Sequence, residues 1–116
     1  MNPEQERVLD RLAELSRELD AVTKEIADAE VAALHQKHQL EVAYAKAWLG
    51  SEGSVEQRRQ LAIVATAEQR FRAEGAALQV RILRERAKTI GTQIDVGRTL
   101  ASSQRQQWAA EGTGQA

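Results

Sequence analysis

Val8-Leu-Asp-Arg-Leu-Ala-Glu-Leu-Ser-Arg-Glu-Leu-Asp-Ala-Val-Thr-Lys-Glu-Ile26 is the stretch that decides the fold. Its residues Val8, Leu12, Leu15, Leu19, Val22 and Ile26 recur at alternating steps of four and three, the seam of a heptad helix rather than the period of two of a strand. Towards the start of the chain, Pro3 suits a first helical turn, and Glu4, Glu6 and Asp10 suit the positive end of the helix dipole. Beyond Ile26 the seam continues more weakly through Ala29, Ala33, Gln36, Leu40, Ala43 and Ala47, and no glycine or proline intervenes between Pro3 and Gly50. The expected element is one helix over about 4–49, about 70 Å long at 1.5 Å per residue.

Gly50-Ser-Glu-Gly-Ser54 is the one strong internal break. Gly50 is expected in a left-handed cap, and Ser54 with Gln57 forms a Ser-x-x-Gln capping box for a second helix. So short a linker folds the two helices back on each other. The second helix is expected over about 55–109, weakest at 89–97, where Gly91, Gly97 and β-branched residues lower helix propensity. Residues 112–116 are expected as a disordered tail, leaving 1–111 as a single hairpin domain. The fold class is therefore all-α, a long antiparallel two-helix coiled-coil hairpin.

Antiparallel partners across a turn have residue numbers of constant sum. Placing Val8 opposite Ile94 sets that sum at 102 and brings Leu12 to Ile90, Leu15 to Ala87, Leu19 to Leu83 and Val22 to Val80. The midpoint then falls in the linker. A slip of seven residues aligns equally well in the heptads, and only the linker decides between the two. Charge favours the hairpin as well, since residues 1–50 carry 6 basic and 10 acidic groups and residues 51–116 carry 10 and 7. Glu18 and Arg86 are the expected flanking pair.

A second set of apolar residues stays outside this seam: Val31, Leu34, Val42 and Leu49 on the first helix, with Leu61, Val64, Phe71, Leu78 and Ile82 on the second. Two helices alone cannot bury both sets. Leaving nine such side chains in water forgoes on the order of 10–20 kcal/mol, and a patch of this kind marks an interface. A homodimer forming a four-helix bundle in the linker-proximal half is the expected solution, with splayed helices or a different partner in the groove as the alternative.

Composition excludes several functions. Cysteine is absent, which removes disulfides, thiolate metal sites and thiol catalysis and agrees with a reducing compartment. No phosphate loop, nucleophile elbow or zinc-ligand spacing occurs, and a helical hairpin has little concavity to exclude water, so no enzyme activity, cofactor or metal is expected. His35 and His38, with Glu41, share a helical face but lie in a polar stretch without the further inward carboxylates a di-iron site requires. Sixteen basic against seventeen acidic residues give a net charge of −1, so any nucleic-acid binding must come from a local patch. The candidate patch is Arg81, Arg84, Arg86 and Lys88, with Arg70, Arg72, Arg98 and Arg105 nearby and Trp108 available to stack on a base. No apolar run approaches the roughly 18 residues of a membrane span, and the expected location is the cytoplasm.

Ala43-Tyr-Ala-Lys-Ala-Trp-Leu49, Gly53-Ser-Val-Glu-Gln-Arg58 and Ile94-Asp-Val-Gly-Arg-Thr-Leu100 resemble segments of small helical coiled-coil proteins encoded by bacteriophages, particularly of actinobacteria. The likeness covers about residues 40–110 and rests on packing motifs. It implies a location in the host cytoplasm and an accessory role near replication and recombination, and transfers no functional residue. The leading expectation is a non-enzymatic interaction module or adaptor that binds a host or phage protein. A nucleic-acid-binding accessory using the basic second helix, and a structural role in virion assembly, are the alternatives.

Overall fold

The structure, a computed structural model, describes residues 2–114. Among these, the backbone forms three helices and no strand: α1 (Pro3–Leu49), α2 (Val55–Ala65) and α3 (Ala67–Gly114). The chain divides into two compact units, one of Met1–Lys24 and Glu85–Ala116, the other of Glu25–Arg84.

α1 starts on a reciprocal cap that the sequence reading passed over. The side chain of Asn2 accepts from the Gln5 N–H at 2.8 Å, and the Asn2 N–H donates to Gln5 Oε1 at 3.2 Å. Two otherwise unpaired donors of the first turn are thereby satisfied, with Glu4 and Glu6 beside them.

The linker differs from expectation at its glycines. Gly50 is not left-handed; its N–H donates to the Lys46 carbonyl at 2.9 Å, prolonging the ladder of α1, and Ser51 Oγ donates to the Trp48 carbonyl at 2.7 Å. The left-handed residue is Gly53, φ 113°. A Cβ there would collide with the side chain of Gln57, which folds back to accept from the Ser54 N–H at 2.8 Å while Ser54 Oγ accepts from the Gln57 N–H at 3.2 Å. The capping box and the glycine before it thus depend on each other.

The second helix is not continuous over 55–109 as expected, because it bends at Thr66. That residue has φ −112° and ψ 18°, yet the ladder passes through it: Thr66 N–H donates to the Ala62 carbonyl at 3.1 Å, and Arg70 N–H to the Thr66 carbonyl at 3.0 Å. Thr66 Oγ1 also donates to the Ala62 carbonyl, at 2.7 Å, and the residue is only 2% exposed. A buried threonine bonding back one turn tilts that carbonyl and bends the helix without ending it. Residues 89–97, by contrast, are helical throughout. Ile90 and Ile94 are buried in that segment, and packing of an apolar face outweighs intrinsic propensity. The helix also continues past residue 109 to Gly114, so the disorder expected of 112–116 does not apply to 112–114; residues 115 and 116 lie outside the described residues. Once nucleated, a helix gains one bond for each residue added, which carries it beyond the last seam contact.

Packing follows the heptads within each unit. In the first, Leu15, Val22, Ile90 and Ile94 are buried, while Val8, Leu12 and Leu19 are half-buried beside Ala87 and Gly97. In the second, Ala62, Thr66 and Leu83 are buried, and Ile26, Ala29 and Val80 are half-buried.

The register is one heptad away from the expected one. A Cβ built on Gly97 would lie 2.6 Å from Leu12 Cδ2, so these two residues sit directly against each other and their numbers add to 109. A sum of 102 would hold Leu12 level with Ile90, seven residues or about 10 Å from Gly97. In the other unit, Glu30 pairs with Arg84, which a sum of 102 would leave on the order of 10 Å or more apart along the axis. The physical reason lies in the linker. Residues 55–57, the first turn of α2, are exposed, and Arg58 is the first residue of that helix to gain cover, with its guanidinium 5.1 Å from the Trp48 ring centroid. The effective turn therefore extends beyond residue 54, and its midpoint shifts from residue 51 to the Ser54–Val55 bond. Glu18, accordingly, does not meet Arg86; it lies 3.5 Å from Arg11 on its own helix.

Candidate interaction surfaces

All nine apolar residues left outside the seam are exposed, from 38% at Val42 to 77% at Phe71. They do not share one face. Phe71 stands midway between the covered positions Gln69 and Ala73, Leu78 between Ala76 and Val80, and Val64 between Ala62 and Thr66. At 100° per residue, a site two positions from each seam neighbour is the back of the helix, opposite its partner. Leu61 and Ile82 lie about 50° from that line. On α1, Val31 stands midway between Ala29 and Ala33, again on the back, with Leu34, Val42 and Leu49 within about 50° of it. Helices packed through their seams turn their backs in opposite directions. One interface pooling all nine, as a four-helix bundle requires, does not follow from this geometry.

The two backs also differ in pattern. On α2 and α3 the positions 61, 64, 68, 71, 75, 78 and 82 keep the three-four alternation and read Leu, Val, Glu, Phe, Gly, Leu, Ile. That is a second heptad stripe, bent once at Thr66. Gly75 sits within it, and a Cβ there would meet nothing within 4 Å, so the stripe has an open notch between Phe71 and Leu78. On α1, the residues 31, 34, 42 and 49 are spaced irregularly, with Lys37 and His38 among them.

Exposed apolar residues that the sequence reading did not single out include Leu9, Val55, Val96 and Leu100. Leu9, Val96 and Leu100 are off the seam, the one signal that would have marked them, whereas Val55, seven residues before Ala62, is in step with the seam but stands in the uncovered first turn of α2. Leu9, Leu12, Ala101 and Trp108 line an open groove of about 660 Å³ within the first unit, edged by Arg98 and Arg105. Trp108 is 59% exposed there.

The basic cluster is dispersed. Arg81 and Lys88, seven residues apart, share one flank of α3; Arg86 is on the opposite flank, and Arg84 is engaged with Glu30. Arg72 pairs with Glu68, and Arg59 with Glu56 at 3.2 Å. His35 is exposed with Nε2 3.2 Å from Gln39 Nε2, and among the described residues no three His, Cys, Asp or Glu side chains gather where they could hold a metal ion. Among the described residues no helix is long and apolar enough to cross a membrane. No family model, curated protein or solved structure matches the chain.

Proposed function

We propose that this chain is a non-enzymatic protein-interaction module: an antiparallel coiled-coil hairpin that pairs with a second copy of itself and serves as an accessory or adaptor to another protein. The observation that carries the reading is the exposed heptad stripe on the back of α2 and α3, centred on Phe71. A stripe with that spacing has the sequence signature of a helix-packing surface, and leaving Phe71, Leu78 and Ile82 in water forgoes about 1.5–3 kcal/mol for each side chain that burial would recover. The resemblance to small phage-encoded helical proteins supports an accessory role in the cytoplasm of a bacterial host.

Sedimentation equilibrium tests the reading. The expected result is a mass near twice the 12.8 kDa of the chain, reduced to that of one chain by Phe71→Asp with helicity retained. A wild-type protein that remains monomeric at high concentration would refute self-pairing. Titration with duplex DNA at two salt strengths tests the nucleic-acid alternative, since binding through phosphate contacts weakens steeply with salt.

A further inference from the structure

We infer that the second copy docks antiparallel along the back of α3, with the two-fold axis level with the Ala76–Ala77 bond. This rests on the self-pairing proposed above and specifies its face and register. Along the back of α3 the stripe reads Glu68, Phe71, Gly75, Leu78, Ile82, and its next position on the same helix is Glu85. The order is symmetrical in kind about its centre, with an acid at either end and apolar residues within. An inverted copy therefore sets Phe71 against Ile82 and Leu78 against Gly75. Gly75 has open space where its side chain would be, so each Leu78 enters a notch in the other copy; at the two ends of the stripe Glu68 of one copy faces Glu85 of the other, a like-charge contact that Arg72, paired with Glu68, partly offsets.

Charge separates this register from the one a heptad nearer the start of α3. Glu74 and Arg81 lie on one flank of the stripe; both are exposed, and among the described residues neither joins an ion pair, whereas Glu30, Glu56 and Glu68 each hold an arginine. The proposed register sets Glu74 of each copy beside Arg81 of the other, twice by symmetry. On the opposite flank, Arg72 is held by Glu68 of its own helix and Gln79 of the second copy faces it. Moving the register by one heptad towards the start of α3 brings Glu74 against Glu74 and Leu78 against Glu68. A parallel pair stacks Gly75 on Gly75, which leaves a void that Leu78 fills in the antiparallel pair.

The chain has no cysteine, so Ala67→Cys carries a single nitroxide label, and pulsed electron spectroscopy on the full-length dimer reads its distance to its counterpart. The expected separation is about 30 Å, from 1.5 Å of rise per residue and helices about 10 Å apart. In parallel, Glu74→Arg and Arg81→Glu each weaken self-association about tenfold, the scale of two exposed ion pairs lost, and the double variant restores it. Both sites are exposed, and circular dichroism confirms that each variant remains helical. A label distance near 20 or 40 Å, or charge reversals without effect on a persistent dimer, would overturn the register and leave self-pairing standing. A monomeric wild type would overturn both.

Discussion

Two glycines six residues apart in α3 provide the sharpest test of the packing within the first unit. Replacing either with alanine removes the conformational freedom that glycine costs a helix, a gain of about 0.5–1 kcal/mol. The surroundings then separate them. A Cβ at Gly91 meets nothing within 4 Å, so Gly91→Ala is expected to stabilise by that full amount. A Cβ at Gly97 would lie 2.6 Å from Leu12 Cδ2 and 3.2 Å from Leu12 Cγ, closer than carbon atoms approach, so Leu12 must leave its position against α3. Overpacking of this kind costs about 1–3 kcal/mol, which reverses the helix gain. Gly97→Ala is therefore expected to destabilise by up to about 2 kcal/mol, so that the two variants differ by about 1–3 kcal/mol. Thermal unfolding at one fixed protein concentration measures this, with about 4 °C in Tm for each kcal/mol in a chain of this length. Equal stabilisation by both substitutions would refute the contact between Leu12 and Gly97, and with it the register in which their numbers add to 109.

Three further substitutions probe separate links. Val22→Asp places an unpaired charge at a site 1% exposed and is expected to abolish cooperative unfolding of the arms, read as lost helicity by circular dichroism; a folded variant would exclude Val22 from the core. Ser54→Ala removes the acceptor for the Gln57 N–H and is expected to cost about 1 kcal/mol in urea unfolding with an unchanged m value, an unchanged midpoint counting against the capping box. Arg58→Ala is expected to shift Trp48 fluorescence to the red and to cost about 0.5–1 kcal/mol, while an emission spectrum identical to wild type would mean that the guanidinium does not cover the ring in solution.

The helical class and the positions of the seam were legible because a heptad states its covered face directly in the order of residues. Val8 to Ile26 carries that signal in six strong apolar residues, and the weaker half from Ala29 to Ala47 follows it in phase. The register was not legible. A heptad matches itself at every slip of seven, and the deciding information, how much chain the turn consumes, resides in Gly53 and in the uncovered first turn of α2. The bend at Thr66 was equally hidden, because a threonine in the seam reads as a weak helical residue until its hydroxyl is seen to take the Ala62 carbonyl. The exposed apolar residues could be counted from the sequence but not grouped. Grouping requires the direction of each helix's seam, since Val31 and Phe71 have the same relation to their own seams and for that reason point apart.

That opposition bears on how copies assemble. A four-helix bundle needs each hairpin to offer both helices to one shared core, and the backs of α1 and α3 cannot do so together while the seam between them holds. Self-pairing through α3 alone needs a stripe that repeats in step with the helix, and α3 has it through Phe71, Gly75, Leu78 and Ile82. The back of α1 lacks it, because a step of eight separates Leu34 from Val42 and the one apolar residue in that interval, Leu40, belongs to the seam. Under the proposed pairing, α3 is therefore covered on two sides and α1 on one. Val31, Leu34 and Leu49 remain exposed in such a pair. Substituting those three residues with serine should then leave the dimer mass unchanged, and a loss of dimer on that change would return α1 to the self-pairing interface.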